Sequence, residues 1–259
     1  MNSTSKPIIA LAGMDPKPDW FAQIRTALTE GYDLRVYNKS NYVGQLTDDY
    51  TALILVNGAA ENWVYWTATP KGNPATRRIP VFLVSDDAAT RQQSLSSGAD
   101  LALSPADAAQ SIIKLVADYA RTFDPARAEQ LDCECAEALP PLAEQGFAQF
   151  NQREFYQQHD SFEALWVETE GPVRNLYRAI LQVGVAYYQI ERGNARGALK
   201  MLLRSVQWLT ILPDQCQGID VAALREDSYR VRAELERLGT DGLANFDHSL
   251  LKPVRKVSE

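Results

Sequence analysis

The chain has 259 residues, 46% hydrophobic and 23% charged, which is the balance of a globular protein and excludes wholesale disorder, collagen and coiled coil. Its 33 acidic and 26 basic residues give a formal charge of −7, which argues against nucleic acid as a partner because phosphate neutralisation needs a basic face. No apolar run reaches the roughly 18 residues of a membrane span, the first residues make a poor secretory signal, and the odd cysteine set, Cys133, Cys135 and Cys216, suits reduced thiols in a cytoplasm.

In chain order, apolar runs at residues 8–12, 52–56, 81–84 and 101–103, and an alternating stretch at 33–37, read as five strands. Continuous Val, Ile and Leu suit strands buried on both faces of a parallel sheet. Between them, residues 20–29, 92–97 and 107–119 repeat apolar residues at helical spacing. Ile112, Ile113, Leu115, Val116 and Tyr119 are expected on the inner face of the last helix. Residues 57–80, with Trp63, Tyr65 and Trp66, read as a long loop around a short helix. This alternation predicts an α/β doubly wound, flavodoxin-like domain over residues 1–122.

Composition then shifts. Residues 123–141, rich in Ala, Glu and Asp and closed by Pro140-Pro141, read as a partly helical linker. Cys133 and Cys135 at i, i+2 would point about 200° apart on a helix and could not grip one metal. Helical periods at residues 142–150, 154–168, 173–192, 195–212 and 221–238 predict an all-α bundle over 142–240, with a tail at 241–259. Gly193 suits a left-handed helix end and Asn194 the N-cap of the next helix.

The chemistry-bearing stretch is His159-Asp160-Ser161-Phe162-Glu163-Ala164-Leu165-Trp166. On a helix, His159 and Glu163 share a face, with Trp166 one turn further along it. Such a pair can ligate a metal, exchange protons, or form a buried hydrogen bond that orients two helices. Tight metal binding takes three or more protein ligands, and His248 is the only other imidazole. Arg178 and Gln182, four residues apart on the following helix, could meet the His159 face. Together His159, Asp160, Glu163, Trp166, Arg178 and Gln182 form the candidate cluster, with His159 and Glu163 as ligands if one divalent metal ion binds.

Two resemblances extend this reading. The segments Ile79-Pro80-Val81-Phe82-Leu83-Val84-Ser85, Ser97-Gly98-Ala99-Asp100 and Leu103-Ser104-Pro105 resemble the last two units of bacterial response-regulator receiver domains. In that family, acidic residues after the first strand hold Mg²⁺ and an aspartate after the third accepts a phosphoryl group. A Ser or Thr follows the fourth strand, and a lysine precedes a proline after the fifth. Here the acidic places hold Gly13 and Met14, with Asp15 only adjacent, the acceptor place holds Asn57, and the lysine place holds Ser104. Ser85 alone is retained. An amide cannot replace a carboxylate nucleophile or anchor its cation, so the resemblance implies a degenerate, non-phosphorylatable receiver.

The second half is similar to a bacterial and archaeal helical family, domain-of-unknown-function family 309. The blocks are Phe150-Asn151, Glu154-Phe155-Tyr156, His159-Asp160, Glu163-Ala164-Leu165-Trp166, Leu176-Tyr177-Arg178-Ala179-Ile180-Leu181-Gln182, Ala186-Tyr187-Tyr188, Arg192-Gly193-Asn194, Gly197-Ala198 and Gly218-Ile219-Asp220-Val221. The resemblance places the family's histidine, glutamate and aromatic hallmark on His159, Glu163 and Trp166, with Asp160 where glutamate is common.

The expected function is that of a cytoplasmic regulatory or scaffolding protein. Its non-phosphorylatable receiver would mediate self-association as a homodimer, or docking to a protein partner, for a helical domain of unknown activity. The alternative is a metal-binding protein or metal-dependent enzyme using His159 and Glu163. A DNA-binding response regulator is disfavoured by the acidic balance and the lack of a basic recognition helix.

Overall fold

A computed structural model describes residues 6–122 and 124–257. The chain divides into two compact units, Asn2–Thr122 and Phe123–Glu259.

In the first unit, β1 (Ile8–Ala12), β2 (Asp33–Val36), β3 (Leu53–Asn57), β4 (Val81–Val84) and β5 (Leu101–Leu103) form one parallel sheet in the order β2-β1-β3-β4-β5. That is the order of flavodoxin-like doubly wound sheets. Side chains alternate across it as the strand period requires. Ile9, Leu11, Leu53, Leu55, Phe82 and Val84 pack under α1 (Phe21–Leu28) and α5 (Pro105–Tyr119). Ala10, Ala12, Ile54, Val56, Val81 and Leu83 face the other way, towards Tyr42 and Leu46 of α2 (Tyr42–Asp48) and Trp66 of α3 (Trp63–Gly72). α4 (Ala88–Ser96) packs beside the sheet against β5.

α2 has no counterpart in the sequence reading; its seven residues bury Tyr42 and Leu46 but include Gly44, so the period is short and the propensity poor. The short helix expected within residues 57–80 is the ten-residue α3. One expectation needs correction. On α5 the buried set is Ala108, Ile112 and Val116, one strict i, i+4, i+8 stripe, whereas Ile113 is 62% exposed and Tyr119 44%. Five apolar residues span too wide an arc for one helix to bury them all.

The second unit is helical: α6 (Pro125–Cys135), α7 (Pro141–Asn151), α8 (Phe155–Glu168), α9 (Arg174–Glu191), α10 (Ala195–Leu209) and α11 (Val221–Leu238). A hairpin of β6 (Gln215–Cys216) and β7 (Ile219–Asp220) precedes α11. Its turn residues Gln217 and Gly218 both have positive φ, the conformation that two-residue hairpins favour. α9 is the central helix, with Leu176, Ala179, Ile180, Val183, Ala186, Tyr187 and Ile190 all buried. Gly193 has a φ of 76° and Asn194 accepts the Gly197 N–H at 2.9 Å, so both act as read from the sequence.

The stretch read as a linker belongs to this unit. α6 buries Leu131 and Cys135 in the helical core. Cys135 is joined to Cys216 by a disulfide across 81 residues, leaving Cys133 free and exposed. The expectation of three reduced thiols is therefore overturned. Sequence reasoning compared only the neighbouring pair, and folding pairs one of them with a distant hairpin instead. With it goes the cysteine argument for a reducing compartment. No helix among the described residues is long and apolar enough to cross a membrane.

The residues read as a tail are also packed. Phe246 and Val254 are buried, and Asn151 exchanges two hydrogen bonds with the Val254 backbone at 2.9 and 3.0 Å. Two of the tail's basic residues are engaged within the unit: Arg255 with buried Asp227 at 2.5 Å and Lys256 with Glu144 at 2.7 Å.

Candidate functional site

At the carboxyl end of the sheet, Gly13 and Asn57, two of the positions compared with receiver residues, are bonded to each other. Gly13 ends β1 with a φ of 68°, and a Cβ there would meet Ala60 Cβ at 2.8 Å and the Trp66 ring at 3.4 Å. Only glycine fits both the backbone and the space. Buried Asn57, at the end of β3, donates through Nδ2 to the Gly13 carbonyl at 3.0 Å and accepts the Ala59 N–H at 3.1 Å. The amide thus ties the loops after β1 and β3, a role no carboxylate could fill because it has no N–H. The Trp66 indole, held through Nε1 to Asn62 Oδ1 at 2.8 Å, lies beside this link.

The remaining positions have structural partners. Met14 is buried in the core under α1 and α5, and Asp15 is exposed. Ser85 accepts the Asp87 N–H at 3.2 Å. Ser104 caps α5, accepting the Asp107 N–H at 3.1 Å and donating to its carboxylate at 2.6 Å. Among the described residues no three His, Cys, Asp or Glu side chains are placed to hold a cation.

The second cluster lies on one face of α8, α9 and α10. His159 Nδ1 is 3.2 Å from Asp160 Oδ1 and its side chain is 35% exposed, while Glu163 is exposed. The two are therefore not the buried, bonded pair the sequence allowed. Among the described residues no three His, Cys, Asp or Glu side chains converge as metal ligands, so His159 and Glu163 gain no third ligand of those kinds.

What the fold does assemble is a stack. The Arg178 guanidinium lies 4.6 Å from the Trp166 ring centre and 4.1 Å from that of Trp208. Arg174, one turn earlier on α9, lies 5.7 Å from Trp166. Two indole faces hold a cation by the ring quadrupole, and arginine suits such a slot because it is flat and weakly hydrated on its faces. One turn beyond Arg178, Gln182 is only 4% exposed. Its Oε1, the Trp208 Nε1 and the Arg174 Nε are buried with no hydrogen-bond partner among the described residues. Trp166 and Arg178 meet in the stack, and Gln182 follows Arg178 by one turn of α9. Trp208 and Arg174 were missed. The spacing of Arg174, Arg178 and Gln182 by fours was the available signal for Arg174, whereas Trp208 joins only through the packing of α10 on α9.

A family model described as a domain of unknown function, DUF309, matches residues 143–201. The match spans α7 to α9 and the first half of α10, and so contains His159, Glu163, Trp166, Arg178 and Gln182. No curated protein matches the chain.

Proposed function

We propose that the protein is regulatory or scaffolding, with a receiver-like first domain that acts as a phosphorylation-independent self-association module for the helical domain. The observation that carries this reading is the hydrogen bond from Asn57 to the Gly13 carbonyl. It occupies the strand-end position where a working receiver needs a carboxylate, and it leaves no nucleophile for phosphoryl transfer. A second copy is the favoured occupant because β5 is an edge strand of a short parallel sheet, and an open edge offers unpaired backbone groups to its like. Leu95 on α4 and Ile113 on α5, the two helices packed against that edge, are 47% and 62% exposed. Apolar surface of this kind favours burial against another chain.

The test is light scattering of the full chain. The expected result is a dimer whose mass is unchanged by acetyl phosphate or by beryllofluoride with Mg²⁺, and which Ile113→Asp converts to monomer. A monomer at every concentration, or a mass that responds to the phosphate analogues, would reject the reading.

A further inference from the structure

α6 is seated on its unit by few groups, and most of them converge on one hairpin. Of its eleven residues only Leu131 and Cys135 are buried. Cys135 is bonded to Cys216 of β6. The Gln217 N–H donates to the Cys135 carbonyl at 2.7 Å, and Gln217 Nε2 donates to the Glu134 carbonyl at 3.3 Å. A further bond reaches the start of α9, where the Glu134 carboxylate accepts the Val173 N–H at 2.8 Å. Isolated helices shorter than about 12–15 residues are marginal in water, and a hydrogen bond that water can replace adds little net stability. The disulfide is therefore the strongest of these attachments.

The hairpin is anchored independently of α6. Cys216 and Ile219 are buried in the helical core, and Tyr177 of α9 donates to Gln217 Oε1 at 2.9 Å. On its other edge, the Asp220 N–H donates to the Arg255 carbonyl and the Val257 N–H to the Gly218 carbonyl, at 2.9 Å each, and Ile219 bridges Lys256. The bond thus joins a weakly seated helix to a firmly seated hairpin. Both lie outside residues 143–201, which the family model matches, so α6 can leave without unpicking the matched helices.

We infer that the Cys135–Cys216 bond is a redox switch. Oxidised, it straps α6 to the hairpin; reduced, it lets α6 go and uncovers the hairpin and the start of α9. The reductant is a dithiol. Its first thiolate attacks Cys135, 9% exposed against 1% for Cys216, to form a mixed disulfide, and Cys216 leaves as the thiolate. The second thiol of the reductant then attacks its own sulfur in the mixed disulfide and releases Cys135. Two electrons and two protons pass from the dithiol, which ends as a cyclic disulfide, to the two cysteines, which end as thiols. Cys133 takes no part, because at i, i+2 it points about 200° away from Cys135 on the helix. The switch lies wholly within the second unit and does not rest on the self-association reading.

Hydrogen exchange of the full chain, read by mass spectrometry, separates a switch from a passive staple. The chain is compared after treatment with oxidised glutathione and after treatment with dithiothreitol. Reduction is expected to speed exchange over residues 128–136 by at least about tenfold while α7 to α9 stay protected, and reoxidation is expected to restore the slow rate. Cys216→Ser should show the reduced pattern under both reagents, and Cys133→Ser the response of the parent. Equal protection of α6 in both states would make the bond a staple without a switch. Loss of protection throughout α7 to α9 would make it a condition of folding, and three free thiols after oxidised glutathione would remove the bond altogether. Each of these results overturns the inference.

Discussion

Gln158 is fully buried where α8 meets α9, and its side chain lies against Gly184, where an added Cβ would fall 2.4 Å from Nε2 and 2.7 Å from Cδ. Alanine in place of that glycine would gain about 0.8–1.0 kcal/mol of helix propensity. It would also force a buried amide that donates to the Phe155 carbonyl at 3.1 Å out of its site. Overpacking of that kind costs about 1–3 kcal/mol, so the crowding wins, and Gly184→Ala is expected to shift the urea midpoint downwards. Asn57 makes the complementary case. Asn57→Asp loses the N–H that reaches Gly13 and sets a carboxylate against a carbonyl, at a cost of about 1–3 kcal/mol. Burial would raise that acid's pKa above its unfolded value of about 3.9. The loss is therefore largest at neutral pH and shrinks as acid protonates the group. Unfolding curves at pH 7 and pH 5, compared with the parent, measure the difference. At this scale the sequence was readable where one residue type implies one chemistry, as at Asn57 and Asn194. At His159 and Glu163 it left a buried pair open, which their exposure excludes, because a shared face on a helix does not say whether that face is covered.

The elements show the same division. The strands were legible because runs such as Leu53 to Asn57 are buried on both sides of a covered sheet, and a short, continuously apolar run fits few structures besides such a strand. α2 and the hairpin were not, since each is too short to display a period. The hairpin acquires its meaning from α6. Besides the disulfide, the Gln217 N–H donates to the Cys135 carbonyl at 2.7 Å, and Tyr177 of α9 donates to Gln217 Oε1 at 2.9 Å. Thiol titration of the unreduced, denatured chain is expected to find Cys133 alone, and full reduction should expose all three cysteines. Three thiols before reduction would contradict the pairing. α4 carries a charge-dependent cap. The Asp87 carboxyl is held below its ordinary value by the Thr90 side chain first, then by the Thr90 and Ala89 backbone N–H groups. A depressed folded pKa adds stability above the unfolded value of 3.8, and that increment is lost as pH falls through the folded one. Asp87→Asn, which keeps an acceptor but does not titrate, should flatten the acid limb of a melting-temperature profile.

At the scale of the whole molecule, each of the two units closes its own core: the two sides of the sheet in one, the α9-centred cluster in the other. A chain built this way unfolds as two cooperative bodies rather than one, and a single two-state description fails. Calorimetry of the intact protein can assign the transitions without separating the domains, because each carries a private perturbation. Reduction removes a cross-link that closes 81 residues of the second unit, a change of about 4–5 kcal/mol on loop-entropy grounds. Asn57→Asp weakens only the first unit, through the link to Gly13. The expected outcome is two components in the heat-capacity trace, the reductant lowering one and Asn57→Asp the other, by several degrees each. If both perturbations moved the same component, the units would be thermodynamically coupled. The strand-end hydrogen bonds and the tryptophan–arginine stack would then have to be treated as parts of one cooperative structure rather than as the separate devices of two domains.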